Sequence, residues 1–120
     1  MKINFEHLKG IFGEWFVVFF YLFSGFRIIK HRYKAKTGEI DLIFRRGKLI
    51  VFCEVKTRIG IKFDMNHIDG IVSRLQMERI LKSSQGFMNS DRYKNFYCRF
   101  DIAVVRSFVK FPLIIKNFTI

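Results

Sequence analysis

Proline and cysteine are both scarce in this sequence. Pro112 is the only proline, and no internal repeat or low-complexity linker divides the chain, so we expect residues 1–120 to form a single domain. Cys53 and Cys98 lie far apart and in no Cys-x-x-Cys or Cys/His spacing, which argues against a zinc site. We therefore expect two buried free thiols in a protein of the reducing cytoplasm.

Acidic residues are also few. The chain has 10 Asp+Glu against 22 Lys+Arg, a formal net charge of +12, and both halves share the basic excess. Such a general positive field attracts polyanions, and nucleic acid is the usual partner. An anionic membrane surface, or a basic protein with no specific partner, is the alternative. We expect no small-molecule substrate.

A hydrophobic run long enough to span a membrane is missing. Trp15–Phe23 contains nine apolar residues in a row, whereas a membrane-spanning helix needs about 20. Glu6 and Glu14 interrupt the preceding stretch and no small-residue cleavage site follows, so the segment does not resemble a signal peptide. We predict a helix over Lys9–Ser24 that is apolar nearly all round and largely buried. A membrane-associated helix is the weaker alternative.

The order of apolar periodicities predicts an α/β domain. Period-two alternation and β-branched residues favour strands, and spacings near 3.6 favour helices. The predicted elements are a helix at Lys9–Ser24, strands at Phe26–Tyr33, Glu39–Arg45 and Leu49–Lys56, a helix over residues 66–88, and strands at Phe96–Arg106 and Leu113–Thr119. The order α-β-β-β-α-β-β is typical of a β-sheet with flanking helices.

Polar residues of the predicted β-hairpin fall on one face. A tight turn centred on Arg46-Gly47 would place Glu39 directly opposite Glu54. Because side chains alternate between the two faces of a strand, the hairpin would gather several acids and one ammonium group. The residues that would share this face are Glu39, Asp41, Phe52, Glu54 and Lys56.

Three carboxylates on one strand face need a physical reason. A like-charge pair directly across two strands is destabilising, and a bound divalent cation would remove that repulsion. Mg²⁺ takes carboxylate oxygens, usually one or two from the protein, together with water and substrate phosphate. Lys56 could then orient the attacking water or offset charge on a phosphoryl group. The alternative is a solvated polar strand face held by ordinary salt bridges.

The two hairpin motifs resemble a known family. Gly38-Glu39-Ile40-Asp41-Leu42-Ile43, followed by the segment Val51–Arg58, is similar to the YraN-type family of small bacterial proteins. That family resembles Holliday-junction resolvases and the PD-(D/E)XK group, so the resemblance implies a restriction-endonuclease-like mixed β-sheet with flanking helices. It maps the "PD" acid to Asp41 and the (D/E)XK motif to Glu54-Val55-Lys56. It also implies a metal-dependent endonuclease that hydrolyses phosphodiesters in branched or structured DNA.

Matches outside the hairpin extend the resemblance over nearly the whole chain. Gly10-Ile11-Phe12-Gly13-Glu14 fits the family's N-terminal Gly-x-x-Gly-Glu, which implies that Glu14 contributes to the metal site, and Arg99-Phe100-Asp101 fits its Arg-Phe-Asp. Two positions depart from the family pattern. The family often carries Asn at the place of Arg32, and it usually carries Lys where this chain has Gln76.

The resemblance implies a role for each matched residue. Mg²⁺ or Mn²⁺ would be held by two main acids and two accessory acids, and Lys56 would assist the attacking water. Basic residues beside the hairpin would contact DNA phosphates, and the symmetric resolvase relatives imply a homodimer. The alternative is a non-catalytic nucleic-acid-binding protein with a nuclease-like fold, which the Gln76 departure favours. The resemblance implies Asp41 and Glu54 (metal) and Glu14 (accessory), whereas Glu39 (accessory) is assigned from the shared strand face and Arg32, Lys34, Lys36 and Arg58 (nucleic acid) from their positive charge beside the hairpin.

Overall fold

The chain alternates between helices and a run of long strands. A computed structural model describes residues 4–59 and 72–116. Within these residues the elements are helix α1 (Phe5–Phe23), strands β1 (Arg27–Ala35), β2 (Gly38–Arg46) and β3 (Leu49–Thr57), helix α2 (Arg74–Met88), and strands β4 (Tyr97–Val105) and β5 (Leu113–Ile115). The predicted order is confirmed. Residues 66–71 of the predicted second helix and 117–119 of the predicted last strand lie outside the described residues.

All strands of the described residues join one mixed sheet in the order β1-β2-β3-β4-β5. β3 and β4 run parallel, and the remaining neighbours are antiparallel. A parallel pair requires a crossover, and α2 lies in the segment that connects the two strands. This is the α/β mixed sheet with flanking helices that the sequence predicted, and it is consistent with a nuclease-like fold.

The two helices cover opposite faces of the sheet. Val51 and Cys53 of β3 belong to the hydrophobic cluster that contains α1 residues. Ile50 and Phe52, which alternate with them, belong to the cluster that contains Ile80 of α2. Because both faces of the central strand are buried, the hairpin has no open polar face of the kind that the alternative interpretation required.

The α1-side core contains a buried polar network. Asp101 is 2% exposed and accepts a hydrogen bond from the Tyr21 hydroxyl at 2.6 Å. Arg99 donates two more, at 2.8 and 2.9 Å. Asp101 therefore joins α1 to β4. The two free thiols are confirmed, but Cys98 is exposed at the start of β4, so the prediction of its burial was wrong.

Helix α1 differs from its prediction in length and in burial. It begins at Phe5, because the Asn4 side chain accepts a hydrogen bond from the backbone N–H of His7 at 3.2 Å and caps the helix. The predicted burial all round was wrong: Val17, Val18 and Tyr21 are buried, but the opposite side is exposed. A sheet can cover only one side of a helix, whatever the composition of the other side. No helix of the described residues is long and apolar enough to cross a membrane.

The predicted hairpin register was wrong by two residues. The turn is centred on Gly47-Lys48, Arg46 pairs with Leu49, and Ile43 rather than Asp41 lies opposite Phe52. Gly47 has φ +60°, and a positive φ at the first central residue is the pattern of a type II′ turn. An even shift preserves which residues share a face. It nevertheless moves Asp41, instead of Glu39, next to Glu54.

Candidate functional site

A cleft of about 510 Å³ opens where the start of α1, the start of β2, the end of β3 and the start of α2 meet. Most of the residues predicted for the site line it, but three of those residues do not. They are exposed residues near the turn between β1 and β2: Lys34, Lys36 and Glu39. The predicted residues that line the cleft are Glu14, Arg32, Asp41, Glu54, Lys56, Arg58 and Gln76.

The side chains of Asp41 and Glu54 each accept a hydrogen bond from a backbone N–H of the neighbouring strand. The Val55 N–H donates to Asp41 Oδ2 at 2.9 Å, and the Asp41 N–H donates to Glu54 Oε1 at 3.2 Å. The regular pairing of β2 with β3 ends one residue earlier, at Leu42 and Cys53. Beyond that point, the carboxylates accept the N–H groups that a continued ladder would have used. The end of the strand pairing thus fixes both acids at the cleft.

The alternation of β2 is interrupted at Asp41. Ile40 belongs to the α2-side cluster, whereas Leu42, two residues along, belongs to the α1-side cluster. In a regular strand these two side chains would share a face. The interruption lets Asp41 reach Val55 across the end of the ladder.

Burial raises the pKa of both acids. Glu54 is only 6% exposed, and desolvation, followed by the nearby charge of Asp41, raises its pKa to about 8. Burial also raises the pKa of Asp41, against the lowering effect of the hydrogen bond from Val55. Without a bound metal ion, Glu54 therefore holds a proton at neutral pH, even with Lys56 nearby.

Gln76 orients the Glu54 carboxyl group. Its side-chain Nε2 donates to Glu54 Oε2 at 3.1 Å. Gln76 lies in the first turn of α2, and its backbone N–H donates to the Ser73 side chain, which caps the helix, at 3.1 Å. Gln76 supplies a hydrogen bond but no charge. A lysine at this position would favour the ionised carboxylate and lower the pKa of Glu54.

Glu14 is paired with Arg32 and lies beside His31, both on β1. It is 8% exposed, and its Oε2 accepts a hydrogen bond from Arg32 Nη2 at 3.1 Å, with His31 Nε2 at 3.5 Å. Arg32 has φ +55°, a left-handed conformation that is uncommon for residues other than Gly, Asn and Asp. Backbone strain of this kind is found preferentially at functional sites.

Gly13 allows α1 to approach β3 closely. A Cβ at this position would overlap the Thr57 hydroxyl group and lie 3.2 Å from its Cβ. The close approach brings the next residue, Glu14, to the edge of the cleft. The Gly-x-x-Gly-Glu pattern therefore has a packing reason at its second glycine.

We expect Gly13→Ala to lower the free energy of unfolding by about 1–3 kcal/mol, because the added methyl group must displace Thr57 or the helix. Urea denaturation would measure the change. Gly10→Ala is the matched control, since no atom of the described residues beyond its own stretch of helix lies within 4 Å of a Cβ there. It should be neutral or stabilising by up to about 1 kcal/mol. Equal destabilisation by the two substitutions would contradict the packing argument.

The acids of the cleft suit a cation that needs few protein ligands. Among residues 4–59 and 72–116, no group of three or more His, Cys, Asp or Glu side chains forms a ready metal cage. Mg²⁺ is commonly bound through one or two carboxylates, with water and substrate phosphate completing its shell. The donor set of Asp41 and Glu54 fits that chemistry, whereas Glu14 is already paired with Arg32.

Sequence reasoning missed the contribution of the start of α1. Glu6, His7, Lys9 and Gly10 also line the cleft. His7, Gly10 and Glu14 have the spacing i, i+3, i+7 of a single helix face, so this signal was present in the sequence. It went unused because the helix was predicted to begin at Lys9, and the cap at Asn4 was overlooked.

Comparison with known proteins gives matches to a single family, by its profile and by individual relatives. The profile of the family described as "Uncharacterised protein family UPF0102" matches residues 13–105. A UPF0102 protein from Treponema denticola is 35% identical over 96 residues, which is 72% of each chain. Another, from Caldanaerobacter subterraneus subsp. tengcongensis, is 34% identical over 87% of this chain and 83% of its own length. A third, from Dictyoglomus thermophilum, is 36% identical over 78% and 77% respectively.

Proposed function

Because the chain belongs to the UPF0102 family, whose description names no activity, we propose from its cleft that it is a metal-dependent endonuclease acting on branched or otherwise structured DNA. The observation that carries the proposal is the adjacent pair of half-buried Asp41 and buried Glu54 at an open cleft that Lys56 also lines. Withdrawing two adjacent acids from water is costly unless a cation compensates them. The net charge of +12 supports a polyanionic substrate.

Asp41 and Glu54 are the residues that would hold Mg²⁺ or Mn²⁺. Such an ion would polarise the phosphoryl group and lower the pKa of a bound water. For Glu54 to serve as a ligand it must release its proton, and the approach of a cation lowers the carboxyl pKa. Gln76 keeps the Glu54 carboxyl group oriented in both protonation states, because its amide can donate to either.

Lys56 is the residue that we assign to the attacking water or the transferring phosphate. It follows Glu54 by two residues on β3 and lines the same cleft, so both side chains reach the reacting region from one strand. An ammonium group there offsets negative charge as it builds on the phosphate. The positive charge of Lys56 also lowers the pKa of Asp41 and of Glu54 and thus favours the ionised form of both acids.

Basic side chains around the cleft would position the DNA backbone. Arg32 and Arg58 line the cleft, and Lys9 adds a further cation from α1. Lys34 and Lys36 extend the positive surface along β1. Contacts of this kind fix a duplex without reading its sequence, so we expect selectivity for DNA structure rather than for sequence.

A non-catalytic nucleic-acid-binding protein is the second candidate. The observations that favour it are the uncharged Gln76 at Glu54 and the commitment of Glu14 to Arg32. Gln76 brings no positive charge to favour the ionised form of Glu54, and the negative charge of Glu14 is already balanced by Arg32. Both features reduce the negative charge that is available for binding a cation. This protein would keep the basic cleft and bind structured DNA without cutting it.

Binding and cleavage of a labelled four-way junction would test the two candidates. We expect a Kd in the micromolar range or tighter at low salt, with affinity falling steeply as salt rises, because phosphate contacts release counterions. We further expect cleavage in Mg²⁺ or Mn²⁺, none with a chelator, and weaker cleavage of a plain duplex of the same sequence. Binding without cleavage would favour the non-catalytic candidate, and an absence of binding at low salt would contradict both.

A further inference from the structure

Helix α1 exposes a continuous apolar stripe on the side away from the sheet. Its residues are spaced 3, 4, 3, 4 and 3 apart, which is the a/d pattern of helices that pack against each other. Their exposed fractions run from 37% to 70%. We call this stripe the α1 seam, and it consists of Phe5, Leu8, Phe12, Trp15, Phe19 and Leu22.

The loop between β4 and β5 extends the α1 seam. Phe108 packs edge-to-face on Phe16 with ring centroids 5.8 Å apart, and the two rings border an apolar groove of about 330 Å³ beside Phe12 and Phe19. Val109 and Phe111 of this loop are 91% and 81% exposed. The helix and the loop therefore form one continuous apolar surface.

This surface is large enough for a stable interface. If a fully exposed aromatic side chain presents about 150–250 Å², the exposed fractions of the seam and loop residues leave an apolar area on the order of 1,000 Å². A standard interface takes about 800 Å² from each partner. Apolar patches on monomeric proteins rarely exceed about 300–600 Å².

We infer that the α1 seam, together with the adjoining loop between β4 and β5, is the interface of a two-fold symmetric dimer, in which this surface packs against the same surface of a second copy of this chain. A two-fold dimer places the same patch on both sides, and a helix with a/d spacing meets that need because its partner carries the identical spacing. Aromatic residues without charge are also the usual composition of an interface core. The inference does not depend on the proposed function, because it uses no residue of the acid pair.

Charge distinguishes a second copy from a lipid surface as the occupant. Helices that lie on anionic membranes carry many Lys and Arg residues on their polar face. The charged residues of α1 are Glu6, Lys9 and Glu14, and its side opposite the seam faces the protein core. A chain of net charge +12 repels its own copy, so an uncharged helix side is the place where two copies approach at least electrostatic cost.

Trp15 gives a direct test because it is the only tryptophan of the chain and lies in the seam. At micromolar concentration we expect sedimentation to give a mass twice the 14.4 kDa of one chain. On dilution the dimer should dissociate, and quenching of Trp15 fluorescence by acrylamide should increase over the same concentration range. A parent that stays monomeric, or a dimer that dissociates without a change in Trp15 quenching, would overturn the inference.

Variants of exposed residues add a second measurement. Phe12→Glu combined with Phe19→Glu should give a monomer with an unchanged circular dichroism spectrum. The control is Leu75→Glu, which changes an exposed apolar residue of α2 outside the seam and should leave the dimer intact. A dimer that persists in the double variant would contradict the assignment. Binding of a monomeric parent to vesicles of anionic lipid would identify a membrane as the occupant instead. If the double variant fails to fold, the Trp15 titration of the parent still decides the question.

Discussion

Glu54→Gln and Asp41→Asn should each reduce cleavage of a four-way junction by about a hundredfold or more in Mg²⁺ or Mn²⁺. Each substitution keeps the size of the side chain and removes one of the two negative charges that would bind the cation. Loss of one preorganised electrostatic contact at a reacting centre typically lowers kcat by about 10²–10³. Single-turnover cleavage of a labelled junction, with the variant in excess, measures the chemical step separately from binding.

The matched controls separate a lost cation from a lost fold. Glu78→Gln makes the same exchange at an exposed position of α2 and should cleave like the parent. Lys56→Ala keeps both acids, so it should still gain stability from Mn²⁺ while its cleavage falls. Junction binding should persist in all of these variants, because Lys9, Arg32 and Arg58 around the cleft are unchanged. Parent-like cleavage by Glu54→Gln would exclude the acid pair from catalysis.

In the absence of divalent metal, the free energy of unfolding should fall as the pH rises from about 5 to about 8. Folded Glu54 has a pKa raised from 4.5 to about 8, so in this range the folded state holds a proton that the unfolded state has released. The contribution of Glu54 to the free energy of unfolding is therefore fully present below pH 4.5 and is lost as the pH rises to about 8. The total change should be on the order of a few kcal/mol. Urea denaturation of the parent and of Glu54→Gln at several pH values would measure it.

The difference in the free energy of unfolding between the parent and Glu54→Gln isolates the contribution of the Glu54 carboxyl group. Other titrating groups are common to both, so their effects cancel in the difference. Glu54→Gln should lose little stability over the same range and should be the more stable protein at pH 8. Mg²⁺ or Mn²⁺ should raise the Tm of the parent more at pH 8 than at pH 6, because metal binding needs the ionised acid. Parallel stability curves for the two proteins would contradict the raised pKa.

The sequence was sufficient to predict the family and the order of the elements. The two hairpin motifs identified the YraN-type family, which the UPF0102 match confirms. The first four strands were predicted to within two residues, because alternation and turn residues are local signals, whereas the fifth ends at Ile115 and is shorter than predicted. The hairpin register was wrong because Arg45-Arg46-Gly47-Lys48 can place Gly47 at either central position of a two-residue turn. Which position it takes depends on how the two strands pack against both helices.

The candidate site was predicted in its centre but not at its edges. Asp41, Glu54 and Lys56 come together because they lie on adjoining strands, and this could be foreseen from spacing. The exclusion of Glu39 follows from the irregular course of β2 at Asp41, which no periodic pattern encodes. The exposed side of α1 could not be foreseen either, because hydrophobicity on all sides of a helix does not reveal which side the sheet will cover.

The strand order also bears on how the chain folds. β1, β2 and β3 form a meander of neighbouring antiparallel strands, whereas the parallel pairing of β3 with β4 joins Leu49 to Tyr97 across the whole α2 segment. Contacts between sequence neighbours form faster than contacts that close a long loop. We therefore expect Asp41 and Glu54 to meet early, inside the meander. Glu14 and Gln76 then reach the pair only when the helices dock.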